Sequence, residues 1–113
     1  MWLTTPIGFY SIVEKVWDKD EGLLTVRARV REDLDALRDR YLPSLGPTSE
    51  DPRSDYRFRA QASREAVAEA VAALIRGVDY DNFKDAVAIR QGAARASVYH
   101  RAWEVYRKLQ PSR

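Results

Sequence analysis

The octapeptide Leu23-Leu24-Thr25-Val26-Arg27-Ala28-Arg29-Val30 decides how the rest of the chain is read. Leu24, Val26, Ala28 and Val30 alternate with Thr25, Arg27 and Arg29. An alternation of period two marks a strand with one dry and one wet face. Upstream, residues 7–17 (Ile-Gly-Phe-Tyr-Ser-Ile-Val-Glu-Lys-Val-Trp) are rich in β-branched and aromatic types and predict a preceding strand. The polar residues 18–22, ending in Gly22, turn the two into a hairpin. The nearly continuous apolar character of residues 7–17 suits the middle of a sheet. A short additional strand over residues 2–5, ahead of Pro6, is an option.

Downstream the period changes. Leu34, Leu37 and Tyr41 fall at i, i+3 and i+7, which predicts an amphipathic helix over 32–42. Residues 43–54 contain Pro43, Pro47 and Pro52 with small polar residues and read as a long loop. Residues 55–62 alternate again, with Tyr56, Phe58, Ala60 and Ala62 on one side and Arg57, Arg59 and Gln61 on the other. Ser63 is an N-cap for a helix lined by Val67, Val71 and Leu74 and closed by Gly77. A further helix starts near Asp79 or Asp81, buries Phe83 and Val87, and stops at Gly92. In the last, over about 95–109, Val98, Ala102, Val105 and Leu109 form one stripe. Tyr99, Trp103 and Tyr106 widen that stripe and read as core.

These elements predict one α+β domain over residues 1–113, ordered β-β-α-β-α-α-α and related to split β-α-β (ferredoxin-like) architectures. The sheet is expected to be of antiparallel type but mixed, with three strands in the order 2-1-3 and room for a fourth. Its third strand would lie parallel to the second after a right-handed crossover, and helices would cover one face.

Composition narrows the chemistry. The 113 residues are 45% hydrophobic and 32% charged, an ordinary globular balance. There is no cysteine and one histidine, so disulfides, thiolate metal sites and histidine clusters are excluded, and neither metal nor cofactor is expected. No apolar run is long enough to span a bilayer, and the start Met-Trp-Leu-Thr-Thr-Pro lacks the blocks of a signal peptide, which predicts a cytoplasmic protein without a membrane partner. Net charge is only +2, yet among the 19 basic residues only Lys15, Lys19, Lys84 and Lys108 are lysines. Arginine forks suit carboxylates, phosphates and aromatic faces.

Several local patterns carry a resemblance. Trp2, Thr5, Gly8, Phe9, Tyr10, Ser11 and Val13 form a Trp-x-x-Thr-x-x-Gly-Phe-aromatic-Ser-x-Val motif. Val26 to Arg29 read Val-Arg-Ala-Arg, and Asp55, Tyr56 and Arg59 form Asp-Tyr-x-x-Arg. Asp79, Tyr80, Asn82, Phe83 and Lys84 form Asp-Tyr-x-Asn-Phe-Lys, followed by Tyr99 and Trp103 as Tyr-x-x-x-Trp. On these motifs, which span nearly the whole chain, it resembles a family of small bacterial proteins of about this length. The resemblance implies a shared fold and no particular activity.

The leading site is the polar side of the sheet. If the apolar sides meet the helices, Arg27, Arg29, Arg57 and Arg59 emerge together on the other face. Tyr10 and Glu14 would stand between them if the parity of the first strand allows. Cations beside aromatic rings suit single-stranded nucleic acid, whose phosphates they neutralise and whose bases they stack. Cross-strand ion pairs on a solvated face, or burial in a homodimer through the sheet, are the alternatives. The expected function is therefore a small binding module presenting this face to an acidic partner, nucleic acid or protein. Self-association is the second reading.

A secondary candidate is Asn82 with Lys84 at a helix start, where free N–H groups attract anions. Asp79 and Asp81 oppose that and favour plain capping. An enzyme acting on a small anionic metabolite through Arg27, Arg59, Asn82 and Lys84 is the third reading. His100 reads as a surface residue in i, i+4 register with Glu104. Phosphate-cradling loops, nucleophile elbows and paired-carboxylate motifs are absent from the sequence.

Overall fold

The structure, a computed structural model, describes residues 1–112. The chain divides into one compact unit over Met1–Val78 and another from Asp79 onward. The first unit holds strands β1 (Trp2–Thr5), β2 (Gly8–Val13), β3 (Leu23–Ala28), β4 (Ser49–Glu50) and β5 (Phe58–Ser63), with helices α1 (Arg31–Arg40) and α2 (Arg64–Arg76). The five strands form one sheet in the order β1-β2-β3-β5-β4, and each neighbouring pair is antiparallel.

The α+β class stands, but the expected 2-1-3 order with a parallel pair does not. The segment expected beside the first strand pairs instead with β3, where Val26 faces Ala60 and Arg27 faces Arg59. Two physical causes account for this. Thr5 Oγ1 accepts the Ile7 N–H at 3.2 Å and the Gly8 N–H at 3.1 Å and donates to the Gly8 carbonyl at 2.8 Å. That tight turn folds β1 onto β2 and occupies the edge that the third strand was expected to take. In addition, α1 carries the chain back by roughly 15 Å, and the long segment 41–57 returns it again. The strand β5 therefore enters antiparallel to β3 and no crossover forms.

Three strand ends also move inward. The first is that of β3, which stops at Ala28, so Arg29 lies beyond it and Val30 becomes the N-cap of α1. Residues 14–17 leave the sheet because the Asp18 carboxylate captures the Lys15 N–H at 2.9 Å and closes a turn. Residues 55–57 precede β5 and lie outside the ladder, taking Arg57 with them.

The core sits on the side of the sheet bearing Tyr10, Ile12, Val26, Ala28, Ala60 and Ala62, where Leu34 and Leu37 of α1 and Val67 and Ala70 of α2 complete it. Ser63 caps α2 by accepting the Ala66 N–H at 3.1 Å. The path of β2 demands a glycine at position 8, since a Cβ there would lie 2.6 Å from Tyr10 Oη and 2.8 Å from Asp33 Cγ.

The second unit is a helical hairpin of α3 (Phe83–Gln91) and α4 (Ala93–Tyr106), ending in a 3-10 turn at Arg107–Leu109. Phe83 stacks on Tyr99 with ring centroids 6.0 Å apart, and Val87 and Ala96 are buried. The stripe expected to be core lies outside: Val98 is 62% and Leu109 81% exposed, and Trp103 and Tyr106 are more than half exposed. Two residues of helix turn a side chain by about 200°, so burying Ala96 faces Val98 away. Among the described residues no helix is long and apolar enough to cross a membrane.

Candidate functional site

Register builds the site. Trp2 pairs with Ser11, Ser11 with Arg27, Arg27 with Arg59 and Arg59 with Ser49, so a single row crosses all five strands on the face away from the core. Two guanidinium-bearing residues directly opposite each other repel, by about 0.8 kcal/mol at ~5 Å in water and several-fold more where solvent is thin. Neutral acceptors hold them in place. Arg27 Nη2 donates to Ser11 Oγ at 2.7 Å, and Arg29 Nη1 to the Asp55 carbonyl at 2.8 Å. Arg59 Nη2 donates to Ser54 Oγ and, at 3.4 Å, to the Tyr56 carbonyl.

Tyr56, only 3% exposed, lies beneath this belt. The guanidinium carbons of Arg27 and Arg29 stand 4.5 and 4.4 Å from its ring centroid. Phe9 packs at 6.5 Å on Tyr56 and at 5.9 Å, edge-on, against Trp2. Among the described residues no carboxylate pairs with Arg27, Arg29 or Arg59. Arg27 Nε, Arg59 Nε and the Tyr56 hydroxyl are buried without a partner among the described residues. Cation–π contact offsets part of the desolvation, and the Asp55 carboxylate reaches the row through Ser54, whose hydroxyl accepts from Arg59 and donates to Asp55 Oδ1 at 3.4 Å.

Two expected members of the face are elsewhere. Tyr10 is fully buried on the core side, where its hydroxyl donates to the Asp33 carbonyl at 2.6 Å. Ser11 opposite Arg27 fixes the parity, so Phe9 and Ser11, not Tyr10, share the arginine side. Arg57, outside the ladder, donates from Nε to Glu50 Oε2 at 2.7 Å, and Arg31 reaches Glu50 Oε1 at 3.2 Å. Hydrogen bonding from Arg57, with its charge and that of Arg31, holds the Glu50 carboxyl below its ordinary range against some desolvation. Arg57 is thus neutralised at the sheet edge. Glu14 pairs with Arg64 at 2.7 Å instead of standing between arginines.

Beside the row lies a node of groups that sequence reading did not single out. Asp18, 1% exposed, accepts from Lys15 N–H, from Thr25 Oγ1 at 2.7 Å and from Gln61 Nε2 at 2.6 Å. Burial alone would raise its carboxyl, but the three hydrogen bonds together outweigh burial and lower it. Trp17 Nε1 donates to Thr25 Oγ1 at 3.3 Å, which steadies an indole 52% exposed. Trp17, Thr25, Pro47, Ser49, Arg59 and Gln61 line a cleft of about 380 Å³. No local motif ties Asp18 to Gln61. The hint was that alternation placed Thr25 and Gln61 on the arginine sides of their strands.

Asn82 and Lys84 belong to the second unit. Asn82 Oδ1 accepts the Asp85 N–H at 2.9 Å and caps α3, so its polar group is spent on the helix. Lys84 lines a shallow cleft of about 310 Å³ with Asp85, Ser97 and His100, and His100 Nε2 lies 3.0 Å from Glu104 Oε1. Among the described residues no three His, Cys, Asp or Glu groups converge to hold a metal ion. No family model, curated protein or solved structure matches the chain.

Proposed function

We propose that the protein is a small binding module whose arginine-bearing sheet face takes single-stranded nucleic acid. The observation that carries this reading is the row of Arg27, Arg59 and the adjacent Arg29, held by hydroxyls, carbonyls and a tyrosine ring with no direct ion pair to a carboxylate among the described residues. Trp2 and Trp17 add indoles 61% and 52% exposed on the same face. Guanidinium groups contact phosphate oxygens, and exposed indoles stack on bases irrespective of sequence. An acidic protein surface would match the charge but has less use for the flanking indoles.

The test is fluorescence anisotropy of labelled single-stranded oligonucleotides across a salt series. Three phosphate contacts predict a slope of log K against log salt of about −2. Joint replacement of Arg27, Arg29 and Arg59 by Gln, with folding checked by circular dichroism, removes that binding. Arg57→Gln, at the edge, reduces it far less. No binding at low ionic strength, or an affinity indifferent to salt, overturns the proposal even if the triple variant does not fold.

A further inference from the structure

The cleft beside Trp17 has a chemical polarity set from behind by Asp18. A carboxylate accepts hydrogen bonds and donates none. The Gln61 group bonded to Asp18 Oδ1 at 2.6 Å is therefore the amide NH2, and the Gln61 carbonyl oxygen is left over as an acceptor. Thr25 spends its one O–H on Asp18 and one lone pair on Trp17, so it offers the cleft no donor. On the arginine side of the cleft, both hydrogen bonds of Arg59 leave from Nη2, so its Nη1 donors are uncommitted. The lining thus combines an indole, the fixed Gln61 amide acceptor, the hydroxyl oxygens of Thr25 and Ser49, and one charged donor in about 380 Å³, at the small end of ligand-binding clefts.

From this combination we infer that the cleft holds one keto base of a bound strand: uracil, thymine or guanine, stacked on Trp17. The N–H of that base meets Gln61 Oε1, and its adjacent carbonyl meets Arg59. A keto base offers an N–H beside a strongly accepting oxygen. Adenine also sets its N6–H beside N1 or N7, but that acceptor is a ring nitrogen, a poorer match for the Arg59 guanidinium than a keto oxygen. Asp18 is a positioning residue here, acting through Gln61 and, by way of Thr25, through Trp17. This inference rests on the nucleic-acid reading of the face and adds base preference to it.

The experiment measures anisotropy with oligo-dT and oligo-dA at low ionic strength, on the full chain and on Trp17→Ala and Trp17→Phe. Wild type is expected to favour oligo-dT. Loss of one stacked base predicts a drop of about tenfold or more for oligo-dT in Trp17→Ala, with the salt slope kept and the base preference gone. Trp17→Phe retains most of both. Equal affinities for the two oligonucleotides, or a Trp17→Ala variant that binds like wild type, overturn the base cleft and leave the arginine face standing. Failure of wild type to bind either oligonucleotide overturns both.

Discussion

Asp18 and Gln61, 43 residues apart in the chain, are joined by a 2.6 Å hydrogen bond that ties the turn after β2 to the middle of β5. The carboxylate also holds Lys15 N–H and Thr25, so one buried anion organises a turn, a strand face and the Trp17 indole.

The first prediction concerns acid. Burial pushes the Asp18 carboxyl up, but its hydrogen bonds pull it below the ordinary value of 3.8. A group whose folded value is depressed stabilises the fold above its unfolded value and loses that contribution as pH falls through the folded one. Asp18→Asn, which cannot accept all these bonds, should cost about 1–3 kcal/mol at neutral pH. The difference from wild type should shrink below pH ~4. Urea denaturation at neutral and acidic pH checks this, and a constant difference across that range contradicts it.

Tyr56 gives a paired test. Truncating it to Ala removes a buried ring and two cation–π contacts and should cost about 3–5 kcal/mol in chemical denaturation. Tyr56→Phe removes only a hydroxyl that is buried without a partner among the described residues. Its stability should equal or exceed that of wild type. A loss above about 1 kcal/mol in Tyr56→Phe would mean the hydroxyl is satisfied after all.

Gly8 is the tightest point of the core. An added methyl meets Tyr10 Oη at 2.6 Å, so Gly8→Ala should cost about 1–3 kcal/mol or more. Tyr10→Phe relieves part of the clash while losing the bond to Asp33. The double variant should therefore be more stable than the sum of the two single losses, and strict additivity would place the clash elsewhere.

The exposed stripe of α4 separates pattern from packing. Val98→Ser and Val105→Ser should change stability by no more than about 0.5 kcal/mol. Val87→Ala, fully buried in α3, should cost about 2 kcal/mol. Calorimetry on the three variants decides it, and comparable losses at Val98 and Val87 would restore the stripe to a core.

How much was legible follows from what a period can encode. Alternation in residues 23–30 placed Val26 and Ala28 on the dry side and Arg27 on the wet side correctly, because pleating alone dictates that choice. The Ser63 cap was equally local; Gly77 does end α2, but as the C-cap at φ −86° and not as the expected C′ glycine. Parity failed in β2, where Tyr10 and Ser11 are both buried and hydrophobicity does not reveal which side meets the helices. In α4, apolar residues fall on opposite sides, and spacing cannot say which side a neighbour covers.

The chain itself therefore determined the α+β class, the identity of the main elements and the presence of arginines on one side of β3 and β5, since each depends on geometry repeating over a few residues. Only the tertiary structure decided the strand order, the removal of Arg57 to Glu50 and the burial of Tyr10. It also decided the meeting of Asp18, Gln61 and Trp17 around one cleft. Those outcomes depend on which edges are already occupied and how far a loop must travel, and both are properties of the closed fold.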